Sequence, residues 1–214
     1  MRLSLLVGVL MMAMGGNAQA SVLSAVETGD QRMLEQALAA GDPVDGRNAQ
    51  GQTPLLLAVW KNDVASARHL IAAGADVNAK DSIHDSPFLV AGAHGRTEIL
   101  RMILAHGADL TSTNRFGGTA LIPAAEKGHP EAVDLLIAAG VDVDHVNKLG
   151  WTALLEVAIL TDGGPIPQRI VRSLLAAGAD VTIKDFDGRS ALAHARARGL
   201  SEIAALLAAA GAKD

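Results

Sequence analysis

Apolar residues recur along this chain in short clusters, and the clusters themselves recur. From Glu131 to Ile137 the apolar positions Ala132, Val133, Leu135 and Leu136 fall on one face of a helix. Runs of this kind are closed by a glycine at 41, 74, 107, 140, 178 and 211, in steps of 33, 33, 33, 38 and 33 residues. A second series keeps the same phase: Thr53-Pro54-Leu55, Ser86-Pro87-Phe88, Thr119-Ala120-Leu121, Thr152-Ala153-Leu154 and Ser190-Ala191-Leu192. A third opens each unit with a turn, Asn48 to Gly51, Asn114 to Gly117, Asn147 to Gly150 and Asp185 to Gly188; one unit opens Asp81 to His84 without the glycine. A fixed period over five matched units is the signature of a repeat array.

Each unit reads as two short helices. Thr or Ser caps the first, and Pro54 and Pro87 stand just inside it, where a missing N–H costs nothing. Gly95, Gly128 or Gly199 turns the chain, the second helix follows, and Gly140 and its equivalents end it in a left-handed conformation. An extended piece such as Ala75 to Asn78 leads to the next turn. Helices this short are not stable alone, so each unit must bury its apolar face on a neighbour. The expected layout is a cap over 21–47, repeats over 48–80, 81–113, 114–146 and 147–184, and a terminal repeat over 185–214. Five extra residues around Thr161 to Pro167 read as an inserted loop between the two helices of the fourth repeat.

Composition narrows the chemistry. No cysteine is present, which excludes disulfides and cysteine-ligated zinc, and aromatics make up only 2% of the 214 residues. A formal charge of -5 with alternating signs at the turns (Lys80 beside Asp81, Lys184 beside Asp185) offers no basic stripe for nucleic acid. Residues 1–20, MRLSLLVGVLMMAMGGNAQA, read as a cleavable leader: Arg2, about a dozen apolar residues, then Ala18-Gln19-Ala20. The expectation is an exported protein of the periplasm with no membrane insertion after cleavage. The seven histidines are scattered, the recurring Asp76, Asp109, Asp142 and Asp180 read as turn caps, and no nucleophile elbow or phosphate loop occurs. No catalytic residue, metal site or cofactor is expected, and no carboxylate pair stands out as buried in a pocket.

These repeats resemble those of the ankyrin-repeat family. The best match is Asn114 to Asp144, with Gly-Gly-Thr-Ala-Leu, Ala-Ala-Glu-Lys-Gly-His-Pro-Glu and Leu-Leu-Ile-Ala-Ala-Gly, and the likeness extends over about 21–214. It implies an all-α solenoid, a curved stack of helix-turn-helix units with projecting β-hairpin loops, binding a protein partner through its concave face. The chain departs from the pattern in several places. Leu56, Leu89, Ile122, Leu155 and Ala193 replace the histidine after Thr-Pro-Leu, so apolar packing must replace its hydrogen bonds. His69 stands where the second helix usually buries Leu, and Ala65 replaces a common Glu. The run His145 to Glu156, beside Asp162-Gly163-Gly164, is similar to a signature in a branch of bacterial ankyrin proteins.

On such a stack Ile83, Phe116, Leu149 and Phe186 fall at or near the tips, with Trp151 close by. Trp60, Lys127 and Ile159 fall at exposed ends of first helices. These residues form the expected partner-binding strip; the competing reading of the aromatics is packing along the tips. Glu156 is read either as part of that strip or, preferentially, as an anchor for the Asp162 to Gly164 loop. The functional expectation is a monomeric, non-enzymatic interaction module. By family analogy, the alternatives are an immunity or inhibitor protein of a secreted toxin or enzyme, or a protective scaffold for an exported enzyme such as a catalase.

Overall fold

The computed structural model describes residues 21–213. The leader lies outside the described residues. Within them, helices come in pairs: α1 (Val22–Thr28) and α2 (Gln31–Ala39), α3 (Pro54–Lys61) and α4 (Val64–Ala72), α5 (Pro87–Ala93) and α6 (Thr97–Leu104), α7 (Leu121–Glu126) and α8 (Pro130–Ala139), α9 (Ala153–Leu160) and α10 (Pro165–Ala176), α11 (Ala191–Ala197) and α12 (Ser201–Ala209). The odd-numbered helices pack in one row and the even-numbered in a second, and every substantial helix packing joins helices of one unit or of adjacent units. The molecule is the all-α solenoid expected.

The repeat phase explains both rows. Leu55, Phe88, Leu121, Leu154 and Leu192 share one register and are buried along the inner row. Leu70, Ile103, Leu136, Leu174 and Leu207 do the same along the outer row. Each such side chain contributes about 1.5–3 kcal/mol by leaving water. Leu56, Leu89, Ile122 and Leu155 are also buried, so apolar packing fills the place of the missing histidine there. Ala193 is only partly buried.

Caps follow the expected grammar with one exception. The hydroxyls of Thr53, Ser86, Thr152 and Ser190 accept from the N–H three residues on, at 3.2, 3.3, 3.3 and 3.1 Å. Thr119 makes no such bond: Ala120 is already helical (φ -59°, ψ -26°), and the Thr119 hydroxyl oxygen is buried without a partner. The six glycines that close the units all have φ between 80 and 93°, where a Cβ would be strained.

The projecting hairpins are tight turns locked by one side chain. The Oδ1 of Asn48, Asp81, Asn114, Asn147 and Asp185 accepts from the N–H groups two and four residues ahead, at 2.8–3.1 Å. Pairing beyond the turn is slight: the described residues contain one antiparallel bridge, Lys184 with Ser190. Neighbouring tips are joined where Ser82 N–H donates to Gln50 O and Lys148 N–H donates to Phe116 O. The recurring aspartates cap turns as expected; Asp76, Asp109, Asp142 and Asp180 each accept from the N–H two residues on. Cations of the following unit reach back to inner-helix C-termini. Lys61 Nζ donates to Val26 O at 2.8 Å, and Arg198 Nη1 donates to Ala158 O and Thr161 O at 3.0 and 2.7 Å.

The inserted segment corrects the sequence reading in part. Only Thr161 to Gly164 lie between α9 and α10, while Pro165, Ile166 and Pro167 form the first turn of α10, which runs 12 residues. Pro fits a first helical turn, so most of the extra length became helix. Nor does Glu156 anchor this segment. Asp162 Oδ1 accepts from Gly164 N–H, Thr161 Oγ1 accepts from Gly163 N–H, and Gln168 Nε2 donates to Gly163 O.

Gly92 sets the approach of adjacent units. A Cβ there would lie 2.9 Å from Ala120 Cβ and 3.3 Å from Ala120 O. Gly92→Ala gains about 1 kcal/mol of helix propensity, but overpacking against this rigid neighbour outweighs it. Urea unfolding is expected to show a net loss of about 1–2 kcal/mol; an unchanged or raised midpoint would contradict this account of the unit spacing.

Candidate functional site

The inner helices and tips of units one to four enclose an open cavity of about 370 Å3. Aligning the units on their Thr or Ser cap shows how. The eighth residue of the inner segment gives Trp60, Ala93 and Glu126, and the ninth gives His94, Lys127 and Leu160. The tips add Asp85, Arg115, Phe116, Leu149 and Trp151. The fifth residue gives Val90, Pro123 and Glu156 at the floor.

Six of the nine sequence candidates line this cavity: Trp60, Phe116, Lys127, Leu149, Trp151 and Glu156. Ile83 and Phe186 are exposed at their tips, Phe186 by 78%, but stand outside it. Ile159 and Trp151 are half-buried and pack against the core, which corrects their placement as exposed groups. Trp60 meets His94 edge to face, with ring centroids 4.7 Å apart. Asp85, His94, Arg115 and Leu160 were missed, although the column alignment of the units was available to find them.

The charges divide the cavity into two ends. At one, Arg115 lies 3.6 Å from Asp85 and 4.9 Å over the Phe116 ring. Burial pushes the Asp85 carboxyl up, against the pull of Arg115 and Lys127. Burial lowers His94, and Lys127 and Arg96 lower it further, so its neutral form is favoured. At the other end stands Glu156, only 5% exposed. Its Oε1 accepts from Asn147 Nδ2 at 2.9 Å. Burial, then the charge of Glu126, pushes Glu156 up to about 7, and the Asn147 bond offsets this only in part. The sequence led to no expectation of a carboxylate pair buried in a pocket; the structure buries one carboxylate here, Glu156, with the half-buried Glu126 lining the same cavity.

The next unit supplies a comparison. His194 occupies the register of Glu156 and bonds its own tip residue, Nε2 to Asp185 Oδ2, at 2.6 Å. Despite burial, hydrogen bonds from Arg189 N–H and His194 hold the Asp185 carboxyl below its usual range. The two positions thus make the same tether from helix to tip with opposite electrostatic results. A carboxyl half-ionised near neutral pH can exchange protons or hold a cation. The described residues lining the cavity include no hydroxyl or thiol nucleophile, and no candidate metal cluster occurs among the described residues.

The folded Glu156 binds its proton more tightly than an ordinary glutamate, so stability falls as pH rises from about 4.5 to 7 and then levels. Glu156→Gln is expected to flatten that fall and to raise stability above pH 7 by about 1–3 kcal/mol. Thermal unfolding from pH 4.5 to 8 checks this; parallel profiles for both proteins would contradict it.

The comparisons with known proteins match the geometry. A family profile described as ankyrin repeats (3 copies) matches residues 88–185, and one described as ankyrin repeat matches 50–82. The chain is similar to the ankyrin repeat domain ABAYE2397 of Acinetobacter baumannii AYE, at 55% identity and a TM-score of 0.87, covering 90% of this chain and 98% of that one. It is also similar to the ankyrin repeat protein EF0377, at 45% identity and a TM-score of 0.86, covering 89% of this chain and 97% of that one. Escherichia coli K12 YahD, whose name places it among ankyrin repeat proteins, is 50% identical over 58 residues, spanning 27% of this chain and 29% of YahD. Among the described residues no helix is long and apolar enough to cross a membrane. With its repeat phase, paired helices and these matches in agreement, the chain belongs to the ankyrin-repeat family, whose repeats are protein–protein interaction modules.

Proposed function

We propose that this chain is a monomeric, non-enzymatic binding module of the periplasm, which holds one protein partner along its concave face and tips. The observation that carries this reading is the column of exposed apolar groups at successive tips, Ile83, Phe116 and Leu149, two of which border the cavity. Exposed apolar groups in a row beside a recess are the ordinary form of a protein-binding surface. The leader-like residues 1–20 support export. Phe116 and Leu149 are half-exposed tip residues whose backbones are held by Asn114 and Asn147, so their side chains are free to serve a partner.

The test is affinity capture from a periplasmic extract with the chain expressed from its full sequence, followed by mass spectrometry. A partner retained by the unaltered protein is expected to be lost from the Phe116→Ser/Leu149→Ser double variant, while the melting temperature moves by no more than a few degrees. Equal capture by both proteins would remove the tips from the binding surface.

A further inference from the structure

We propose that the anionic end of the concave cavity is a subsite for one basic side chain, lysine or arginine, projecting from the bound protein partner, with Glu156 and Glu126 as its ligands. The proposal rests on the concave-face reading above and names what that face selects.

Four observations carry it. Glu156 is 5% exposed, and only Oε1 is used internally, by the Asn147 amide. Oε2 has no hydrogen-bond partner among the described residues and is not among their sealed, unpartnered atoms, so it keeps some access to solvent, and Glu156 lines the cavity. Glu126 lines the same cavity and makes no hydrogen bond or ion pair among the described residues, and its charge acts directly on Glu156. Of the cations lining the cavity, Arg115 faces Asp85 and the Phe116 ring, and the Lys127 side chain makes no hydrogen bond or ion pair among the described residues and acts on Asp85, His94 and His129 rather than on Glu156. Among the described residues no cation is one of the causes that set the Glu156 shift.

A buried carboxylate without a counter-charge is costly, and an arriving ammonium or guanidinium relieves that cost. The walls suit the stem of such a side chain, because the apolar Ile122, Pro123, Leu149 and Trp151 line the cavity together with the two glutamates. Lysine and arginine bury their methylenes against surfaces of this kind while the head finds its partner. A neutral or acidic side chain would leave the buried Glu156 carboxylate without a counter-charge. The same arrangement makes occupancy depend on pH. Glu156 is pushed up to about 7, burial raises Asp85 as well, His94 is held toward its neutral form, and Glu126, Lys127 and Arg115 are the other charged groups of the cavity. Binding should therefore strengthen as pH rises from 6 to 8.

The experiment selects a displayed library of random seven-residue peptides on the chain expressed from its full sequence. The expected result is a lysine or arginine enriched at one fixed position. Replacing that residue by Nε-acetyl-lysine or citrulline, or making either Glu156→Gln or Glu126→Gln in the protein, should weaken binding by about tenfold or more. The rise from pH 6 to 8 should vanish in Glu156→Gln, a readout that a purely structural tether to Asn147 would not move. Peptides that lose binding with Phe116→Ser/Leu149→Ser but show no basic preference, or no response to either Gln variant, would overturn the subsite and leave the concave-face reading standing. Peptides indifferent to the tip and glutamate variants alike, or no selected peptide, would overturn both. Free Nα-acetyl-lysine amide binding as tightly as the peptides would make the cavity a receptor for small amines and overturn the assignment to a protein side chain.

Discussion

No unit of this molecule can bury its own apolar face. A helix of seven or eight residues is too short to persist in water, and a pair of them still leaves one side open. Leu55, Phe88, Leu121 and Leu154 become interior only because the next unit lies against them. That dependence fixes the rest: the 33-residue step, the small residue at Gly92 and the left-handed glycines that return the chain to the same side. It also leaves the inner helices with one face uncovered, and that face is where the cavity forms.

The fold was legible because a repeat writes the same physics several times. One Thr53-Pro54-Leu55 is weak; five capped triplets in phase, down to Ser190-Ala191-Leu192, leave few alternatives. The exceptions are local. Thr119 fails as a cap because Ala120 has already entered the helix, which no propensity reveals. The extra residues of the fourth unit were read as loop because the repeat phase recovers by Gly178, whereas Pro165 and Pro167 sit comfortably in a first turn.

The site was legible only by residue type. Tip residues such as Phe116 and Leu149 follow from their place after Asn114 and Asn147. The electrostatics do not, because they arise between units. Glu126 and Glu156 are 30 positions apart, and Asp85 and Arg115 are too; only stacking makes them neighbours. Glu156 shows the limit most plainly. Its acidity in an apolar helix was visible, but its bond to Asn147 and its exclusion from water required the folded chain.

The cavity draws on units one to four, with α1 and α2 stacked before them and α11 and α12 after. α1 packs on α3, which carries Trp60, and α11 on α9, which carries Glu156 and Leu160, so the flanking pairs buttress the two ends of the recess and any loosening of either pair is transmitted to its walls.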